Sequence, residues 1–253
     1  MRIAMIGTGY VGLVTGTCFT EFGIDVVCID KDEKKVETLR KGVCTIYEPG
    51  LEDILQRQLE AGRISFTTDI KEGIKDCDVV FICVGTPSSD ETGHADLSYV
   101  YQAAREIANA IEGYTVIVTK STVPVGTARE IEALMKEENP HADFDIASNP
   151  EFLREGAAVN DFMRPDRIVI GTNTPRAEAV LKELYRPLQV NDTPVLFTNR
   201  ETAEIIKYAS NAFLATKISF INEIANIAES VGADVEWVRK GMGSDPRIGY
   251  QFI

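Results

Sequence analysis

Positive charge is scarce in this 253-residue chain. Its 26 Lys and Arg residues are outnumbered by 39 Asp and Glu residues, and the formal net charge is −13. Nucleic acids and anionic membrane surfaces bind basic surfaces, so this balance argues against both as partners. Long apolar runs are absent too, since none approaches the roughly 20 residues of a membrane span. The strand-like opening leaves no room for a signal peptide, and we expect a cytoplasmic protein.

Cysteine and histidine are too few and too scattered to indicate a metal site or a disulfide framework. The chain has five cysteines, an odd number, and two histidines. No CxxC pair occurs, and neither His94 nor His141 forms a dyad pattern with a carboxylate or a cysteine. We therefore expect no metal and no disulfide, but reduced and mostly buried thiols. The cysteines are Cys18, Cys28, Cys44, Cys77 and Cys83.

Short β-branched runs alternate with helical patterns along most of the chain. This alternation predicts βαβ units, and hence an α/β fold with a Rossmann-like, doubly wound parallel sheet. The predicted strands are Arg2–Ile6, Asp25–Asp30, Ile64–Thr68, Val79–Val84, Thr115–Thr119, Asp145–Ser148, Arg167–Gly171 and Val195–Phe197. The predicted helices are Val11–Phe22, Lys31–Lys41, Asp53–Glu60, Leu97–Ile111, Thr127–Glu138 and Arg176–Tyr185.

A long amphipathic helix is predicted to follow the sheet. Apolar residues recur every three or four positions from Arg200 to about Ser230, without a helix breaker, until Gly232. A helix of this length usually connects domains or packs against a copy of itself. We therefore divide the chain into a Rossmann-like domain, residues 1–199, and the start of a helical dimerisation domain, residues 200–253.

The strongest motif is the GxGxxG turn Gly7-Thr8-Gly9-Tyr10-Val11-Gly12, between the first strand and the first helix. Gly7 permits the tight turn, Gly9 lets the backbone approach a pyrophosphate, and Gly12 lets the helix pack closely on the strand. The free N–H groups at the start of the helix offer a partial positive charge to phosphate oxygens. The motif predicts a dinucleotide site.

An acidic residue at the end of the second strand sharpens the choice of dinucleotide. Asp30 stands about 20 residues after the motif, where a carboxylate binds the ribose 2′-hydroxyl. The same carboxylate would repel a 2′-phosphate, so NAD is favoured over NADP. Lys31 and Lys35 are nearby cations that leave NADP open.

Three further sequence segments follow predicted strands, where parallel sheets collect ligands. Gly85-Thr86-Pro87 can equally be an ordinary turn, and Thr122 in Lys120–Gly126 can be a helix cap. The third segment, SNPEFLREG (residues 148–156), concentrates charge. Its Arg154 could bind a phosphate, and Glu151 or Glu155 could act as a base, although a solvated charged turn is the simpler interpretation.

One polar pair lies on the long helix. Lys207 and Asn211 are four residues apart and share a helix face. They could donate hydrogen bonds to a developing oxyanion, although a lone lysine on a helix more often reaches solvent.

Taken together, the segments GTGYVG, CVGTP, KSTVPVGT, SNPEFLREG, KYASNAFLATKISFINE and DPRIG resemble the UDP-glucose/GDP-mannose dehydrogenase family in order and spacing. The resemblance extends over essentially the whole chain. It implies a four-electron, NAD-dependent oxidation of UDP-glucose to UDP-glucuronate through a cysteine thioester. It also implies that the long helix forms a homodimer.

The resemblance further implies roles for individual residues. Those implied to bind NAD are Gly7, Gly9, Tyr10, Val11, Gly12, Asp30, Lys35, Thr86, Thr122 and Glu155. Those implied to be catalytic are Thr122, which holds a water, Glu151, which assists thioester hydrolysis, and Lys207 and Asn211, which bind the reacting oxygen. Those implied to bind the sugar nucleotide are Glu151, Phe152, Leu153, Arg154, Lys207, Asn211, Arg247 and Phe252.

The sequence departs from the family pattern at the nucleophile. The family's cysteine lies in a GxxGxC(F/L)xKD segment after the position of Ile253, and no cysteine of this chain has that context. We therefore expect a fragment that is inactive by itself. Two alternatives stay open: a GDP-mannose or UDP-N-acetylmannosamine 6-dehydrogenase, and a non-catalytic NAD-binding or dimerisation module.

Overall fold

The computed structural model describes residues 1–88, 93–189 and 193–253. Eight strands form one sheet in the order β3-β2-β1-β4-β5-β6-β7-β8. The strands are β1 Arg2–Ile6, β2 Asp25–Ile29, β3 Ile64–Thr67, β4 Val79–Ile82, β5 Thr115–Thr119, β6 Phe144–Ser148, β7 Ile168–Thr172 and β8 Val195–Thr198. The helices are α1 Tyr10–Thr20, α2 Glu33–Arg40, α3 Leu51–Glu60, α4 Ile70–Ile74, α5 Ser98–Ala110, α6 Thr127–Glu138, α7 Ala158–Met163, α8 Pro175–Leu184, α9 Arg186–Gln189, α10 Arg200–Val231 and α11 Val235–Gly243.

The sheet has a hydrophobic core on each face because alternate residues of a strand point to opposite sides. In β1, Ile3 and Met5 join the core beneath α1, whereas Ala4 and Ile6 join the core beneath α5 and α6. Strands buried on both faces are typical of doubly wound α/β folds. The predicted fold class is therefore confirmed.

The direction of one strand differs from the parallel prediction. β7 runs antiparallel to β6, with Ala147 paired to Thr172, while β8 is again parallel to β7. The connection after β6 contains α7, which has six residues, and it brings the chain back into the sheet at the edge where β6 ended.

The chain divides into two compact units, residues 1–205 and 206–253. In the first unit, Gly171 of β7 allows close packing of α10, since a Cβ there would lie 2.6 Å from the Cβ of Ala203. The predicted long helix is confirmed: α10 has 32 residues, which at ~1.5 Å per residue extend about 48 Å. It ends before Gly232, whose φ of +71° suits glycine.

The second unit has its own internal contacts. The Lys217 ammonium donates to the carbonyl of Ile248 at 3.0 Å, which joins α10 to the chain after α11. A Cβ at Gly243 would lie 2.3 Å from the Tyr250 ring, so a glycine is required for this ring to pack on the end of α11. Helix α11 was not predicted, although Asp234 caps it by accepting from the amide of Glu236.

Candidate functional site

The loops that follow β1, β2, β4, β5 and β6 lie at the carboxyl edge of the parallel strands. The strand order reverses between β1 and β4, because β2 and β3 extend to one side and β5 and β6 to the other. Ligands of doubly wound folds bind outside the strand ends at such a switch point. The residues predicted to bind NAD in the first unit all lie in or after these loops.

The three glycines of the glycine turn, Gly7–Gly12, have different surroundings. Gly7 has a φ of +99°, and a Cβ there would lie 2.9 Å from the carbonyl oxygen of Cys83. A Cβ at Gly12 would lie 1.9 Å from the carbonyl oxygen of Gly7. A Cβ at Gly9, in contrast, would meet nothing within 4 Å. The fold itself requires Gly7 and Gly12, whereas Gly9 faces open space in which a ligand can approach the backbone.

The N-terminus of α1 is also open to a ligand. Within the described residues no side chain caps this helix, and its first turn holds no acidic residue. The neighbouring α2 is capped by Asp32, which accepts from the amides of Lys34 and Lys35. Backbone N–H groups at an uncapped helix start need an acceptor, and phosphate oxygens fit that need.

Asp30 is held in place by Thr8 and Lys35. Its Oδ2 accepts from the Thr8 amide at 2.9 Å and the Thr8 hydroxyl at 2.6 Å, and it lies 3.2 Å from the Lys35 ammonium. Although partial burial opposes it, the hydrogen bonds from Thr8 and the charge of Lys35 lower the pKa of Asp30. The carboxylate is therefore ionised and oriented, as binding of a ribose hydroxyl requires.

The two lysines that left NADP open have partners in the structure. Lys35 pairs with Asp30, and the Lys31 ammonium lies 4.5 Å from the centroid of the Tyr99 ring. Both cations thus have local partners. Thr8, which holds Asp30, was missed by the sequence analysis, although a hydroxyl between two motif glycines was a readable signal.

The loops after β4 and β5 are joined through the two predicted threonines. The Thr86 hydroxyl donates to the carbonyl of Thr122 at 3.0 Å. The Ser121 hydroxyl donates to the carbonyl of Val84 at 2.6 Å. These bonds bring together two segments that the sequence separates by 36 residues. Thr86 and Thr122 therefore belong to one neighbourhood beside the switch point.

A buried polar network lies where β5 and β6 end. The Lys120 ammonium, 5% exposed, donates to Asn149 Oδ1 at 2.9 Å, and the Tyr185 hydroxyl donates to the same oxygen at 2.5 Å. Asn149 Nδ2 donates to the carbonyl of Val169 at 2.7 Å. Asn149 thus joins β5, β6 and β7, and it fixes the start of the segment that contains Glu151. The sequence analysis gave these residues no role.

The 148–156 segment folds back on itself. Glu151 Oε2 accepts from the amide of Leu153 at 2.6 Å, which closes a tight turn around Phe152. The guanidinium of Arg154 forms a bidentate pair with Asp161, with Nη2 to Oδ1 at 2.6 Å and Nε to Oδ2 at 2.9 Å. The pair is exposed on the arginine side, and Asp161 also accepts from the Arg154 amide. The cation predicted to contact substrate is therefore fixed in direction by Asp161 of α7.

The five cysteines, all among the described residues, are free thiols in unreactive surroundings. Burial raises the pKa of Cys18 and Cys83 to about 12, and burial likewise raises that of Cys28. Cys44, half-buried, and Cys77 have a pKa of about 11 for the same main reason. The prediction of mostly buried thiols is confirmed. Thiols of this kind hold little thiolate at neutral pH.

The second unit contains the remaining predicted residues. Lys207 is buried and Asn211 is exposed, four residues apart on α10. Arg247 pairs with Asp245, Nη2 to Oδ2 at 2.7 Å, and its side chain is 87% exposed. Phe252 has a φ of +65° and is exposed.

Two other kinds of feature are absent from the described residues. No group of three or more His, Cys, Asp and Glu side chains among them could hold a metal ion. None of their helices combines the length and apolarity needed to cross a membrane.

Comparison with known families matches both parts of the chain. Residues 1–189 match the NAD binding domain of the UDP-glucose/GDP-mannose dehydrogenase family, and residues 201–253 match the central domain of the same family. The UDP-glucose 6-dehydrogenase of Rhizobium meliloti (strain 1021) is 59% identical over 100% of this chain and 58% of its own length.

Solved structures give the same result. A UDP-glucose dehydrogenase from the archaeon Pyrobaculum islandicum superposes with a TM-score of 0.95 at 44% identity, over 99% of this chain and 58% of that one. A GDP-mannose dehydrogenase from Pseudomonas aeruginosa, solved as a ternary complex, gives 0.92 at 40% identity, over 97% and 57%. The chain thus spans somewhat more than half the length of these relatives. The match of residues 1–189 confirms NAD as the predicted cofactor.

Proposed function

Because the chain belongs to the UDP-glucose/GDP-mannose dehydrogenase family, we propose that it forms the cofactor-binding part of an NAD-dependent UDP-glucose 6-dehydrogenase. The reaction would oxidise the sugar's primary alcohol to a carboxylate by two hydride transfers to two molecules of NAD, through a cysteine thioester that water hydrolyses, and would give UDP-glucuronate. The 59% identity to a UDP-glucose 6-dehydrogenase supports this choice of sugar nucleotide. One observation carries the proposal: an open Gly9 and an uncapped α1 stand beside an ionised, oriented Asp30.

The residues of the first unit fit NAD in distinct ways. The start of α1 and the open side of Gly9 receive the pyrophosphate, because N–H groups there have no side-chain cap. Asp30 accepts a ribose hydroxyl and disfavours a 2′-phosphate. When bound, NAD accepts a hydride from the substrate carbon. Further contacts are proposed for Tyr10, Val11, Lys35, Thr86, Thr122 and Glu155.

The proposed chemical roles follow from the same loops and from α10. Thr122 holds a water, and Glu151 assists its attack on the thioester as a general base. Lys207 and Asn211 donate to the oxygen on which negative charge develops. We propose that Phe152, Leu153, Arg154, Arg247 and Phe252 contact the sugar nucleotide.

The nucleophile is proposed to be none of the five thiols of this chain. Thioester formation needs a thiolate that substrate can reach. The thiols here are mainly buried and have raised pKa values. The chain therefore supplies cofactor binding and proton transfer rather than covalent catalysis.

The long helix supports a proposed homodimer. Phe213, Phe220 and Ile227 are exposed and stand seven residues apart, which places them on one stripe of α10. A stripe of large exposed apolar side chains indicates a protein interface. We propose residues 1–199 as the NAD-binding domain and residues 200–253 as the start of the dimerisation domain, in a cytoplasmic enzyme.

Titration calorimetry with NAD and NADP on the purified chain tests the cofactor proposal. We expect NAD to bind more tightly than NADP, and Asp30→Ala to weaken NAD binding by about tenfold, the loss of one charged hydrogen-bond acceptor. Absence of NAD affinity, or an unchanged affinity after Asp30→Ala, would contradict it. For the sugar, binding of UDP-glucose to the NAD-loaded chain is compared with binding of GDP-mannose and UDP-N-acetylmannosamine, because a chain without the nucleophile is not expected to turn any of them over. Binding of NAD without binding of any of the three would favour the non-catalytic module.

A further inference from the structure

Glu48, in the loop between α2 and α3, is a buried carboxylate outside every motif described above. It is only 5% exposed. Its Oε2 accepts from the Tyr10 hydroxyl at 2.7 Å and from the Gly156 amide at 2.9 Å. Its Oε1 accepts from the Ala158 amide at 2.7 Å. A buried carboxylate is tolerated only with such a full set of donors.

The charge of Glu48 is retained despite burial. Burial works against ionisation, but the hydrogen bonds from Tyr10, Gly156 and Ala158 lower the pKa of Glu48 below its usual value. Burial and the neighbouring carboxylate raise the pKa of Tyr10. Its phenol therefore keeps its proton and donates a hydrogen bond to Glu48. The interaction is therefore a charge-assisted hydrogen bond between two groups 38 residues apart in sequence.

The groups that Glu48 joins belong to two different parts of the proposed site. Tyr10 is the first residue of α1 and lies inside the glycine turn. Gly156 ends the 148–156 segment, and Ala158 begins α7. The Tyr10 hydroxyl also lies 3.1 Å from the carbonyl oxygen of Arg154. One carboxylate thus connects the turn proposed for the pyrophosphate to the segment proposed for the sugar nucleotide.

The 148–156 segment does not depend on Glu48 for its own shape. Its turn is closed locally by Glu151 and Leu153, and Arg154 is anchored to Asp161 through three hydrogen bonds. What Glu48 adds is a buried, charged connection to α1, beside the direct contact of the Tyr10 hydroxyl with the Arg154 carbonyl.

We propose that Glu48 is a positioning residue that couples NAD binding at the glycine turn to the placement of the 148–156 segment. The inference rests on the proposed function. A ligand that fixes the start of α1 also fixes Tyr10, and through Glu48 it fixes the amides of Gly156 and Ala158. Glu151 and Glu155 are then presented in one arrangement when cofactor is bound.

The test is a double-mutant cycle with Glu48→Gln, Tyr10→Phe and the double variant. Glu52→Gln is the matched control, because Glu52 also accepts from a backbone amide, that of Cys44, without reaching either part of the site. Each variant is checked for folding by circular dichroism. NAD affinity is measured by calorimetry, and amide exchange at residues 154–159 is measured with and without NAD.

We expect Glu48→Gln to weaken NAD binding about tenfold and Tyr10→Phe about threefold, because the charged acceptor serves several donors and the phenol is one of them. The double variant should be no weaker than Glu48→Gln, since both changes break one connection. NAD should slow exchange at Gly156 and Ala158 in the parent chain and in Glu52→Gln, but not in Glu48→Gln.

Additive effects of the two substitutions on NAD affinity would overturn the coupling. So would full NAD-dependent protection of the Gly156 and Ala158 amides from exchange in the Glu48→Gln variant. Failure of the proposed function is distinguishable, because the parent chain would then bind no NAD at all. In that case the exchange rates without NAD test the connection: Glu48→Gln, which weakens the acceptor of the Gly156 amide, should speed exchange at Gly156. An unchanged rate at Gly156 would overturn it.

Discussion

The glycine turn and the 148–156 segment both lie at the carboxyl edge of the sheet, but they are held in opposite ways. In the glycine turn, Asp30 accepts a hydrogen bond from Thr8, 22 residues away, and a Cβ at Gly12 would collide with the carbonyl oxygen of Gly7. In the 148–156 segment, Gly156 meets a carboxylate 108 residues away. The first is a local motif, whereas the second closes its own turn locally and is tied to α1 by a carboxylate from a distant part of the chain.

This difference separates two kinds of constraint. Gly12 is required by its close approach to the carbonyl oxygen of Gly7, a near neighbour in sequence, so the two glycines form a motif that sequence reveals. A buried amide or carboxylate is satisfied by whichever donor the fold brings near, so its partner leaves no local pattern. Substitutions in the two regions should therefore fail differently.

The largest expected effect is that of Gly12→Ala. The added Cβ would lie 1.9 Å from a backbone oxygen that cannot move away. We expect the free energy of unfolding to fall by about 3 kcal/mol or more, measured by urea denaturation, with loss of NAD binding as a consequence. A variant as stable as the parent chain would show that the turn can relax. It would contradict the conclusion that Gly12 is required by its local contact with Gly7.

Asn149→Ala is the corresponding test of the distant constraints. It leaves the buried Lys120 ammonium and Tyr185 hydroxyl without their shared acceptor, Asn149 Oδ1. We expect a loss of about 2 kcal/mol in unfolding free energy. Tyr185→Phe, which removes one donor and leaves no acceptor unpaired, is the control and should cost less. Equal losses in both variants would contradict the assigned role of Asn149.

Gly9→Ala separates ligand contact from folding. A Cβ at Gly9 meets nothing within 4 Å, and its φ of −71° suits alanine. We expect unfolding free energy to change by less than about 0.5 kcal/mol. NAD affinity, measured by calorimetry, should fall at least about tenfold, because the methyl group occupies the space proposed for the pyrophosphate. Retained affinity would place the cofactor elsewhere.

The smallest effect concerns pH. The pKa of Asp30 is lower in the folded chain than in the unfolded chain. Its contribution is therefore fully present above the unfolded value, about 3.9, and is lost as pH falls through the folded value. The Asp30→Asn variant should be about 1 kcal/mol less stable than the parent chain at pH 7. Its free energy of unfolding should fall less than that of the parent chain on acidification. Parallel acid-unfolding curves for the two proteins would contradict this contribution.

Much of the first unit was predictable because its signals are periodic or local. Strand positions followed from β-branched runs, and the edges of β1, β5 and α6 agree with prediction. Short helices such as α4 and α7 were missed, because five or six residues do not complete a recognisable helical period. The antiparallel direction of β7 was missed as well, since a hydrophobic pattern fixes a strand's faces but not its direction.

The residues of the candidate site differ in the same way, because some belong to local motifs and others have partners that are distant in sequence. Gly7, Gly9, Gly12 and Asp30 were named from a motif, and the structure places them together at the switch point. Lys120 and Asn149 were visible in the sequence only as members of longer segments, and nothing nearby indicated their mutual hydrogen bond. Glu48 carried no signal at all, because its three donors lie 38 to 110 residues away.

The sequence by itself determined the α/β class, the glycine turn, the long α10 helix and the family. Each depends on spacing along the chain, which folding preserves. The tertiary structure alone decided the direction of β7, the Lys120–Asn149–Tyr185 network and the Glu48 connection between α1 and the 148–156 segment. The physical reason is desolvation: a buried polar group must find a partner, and strand order decides which partners are within reach.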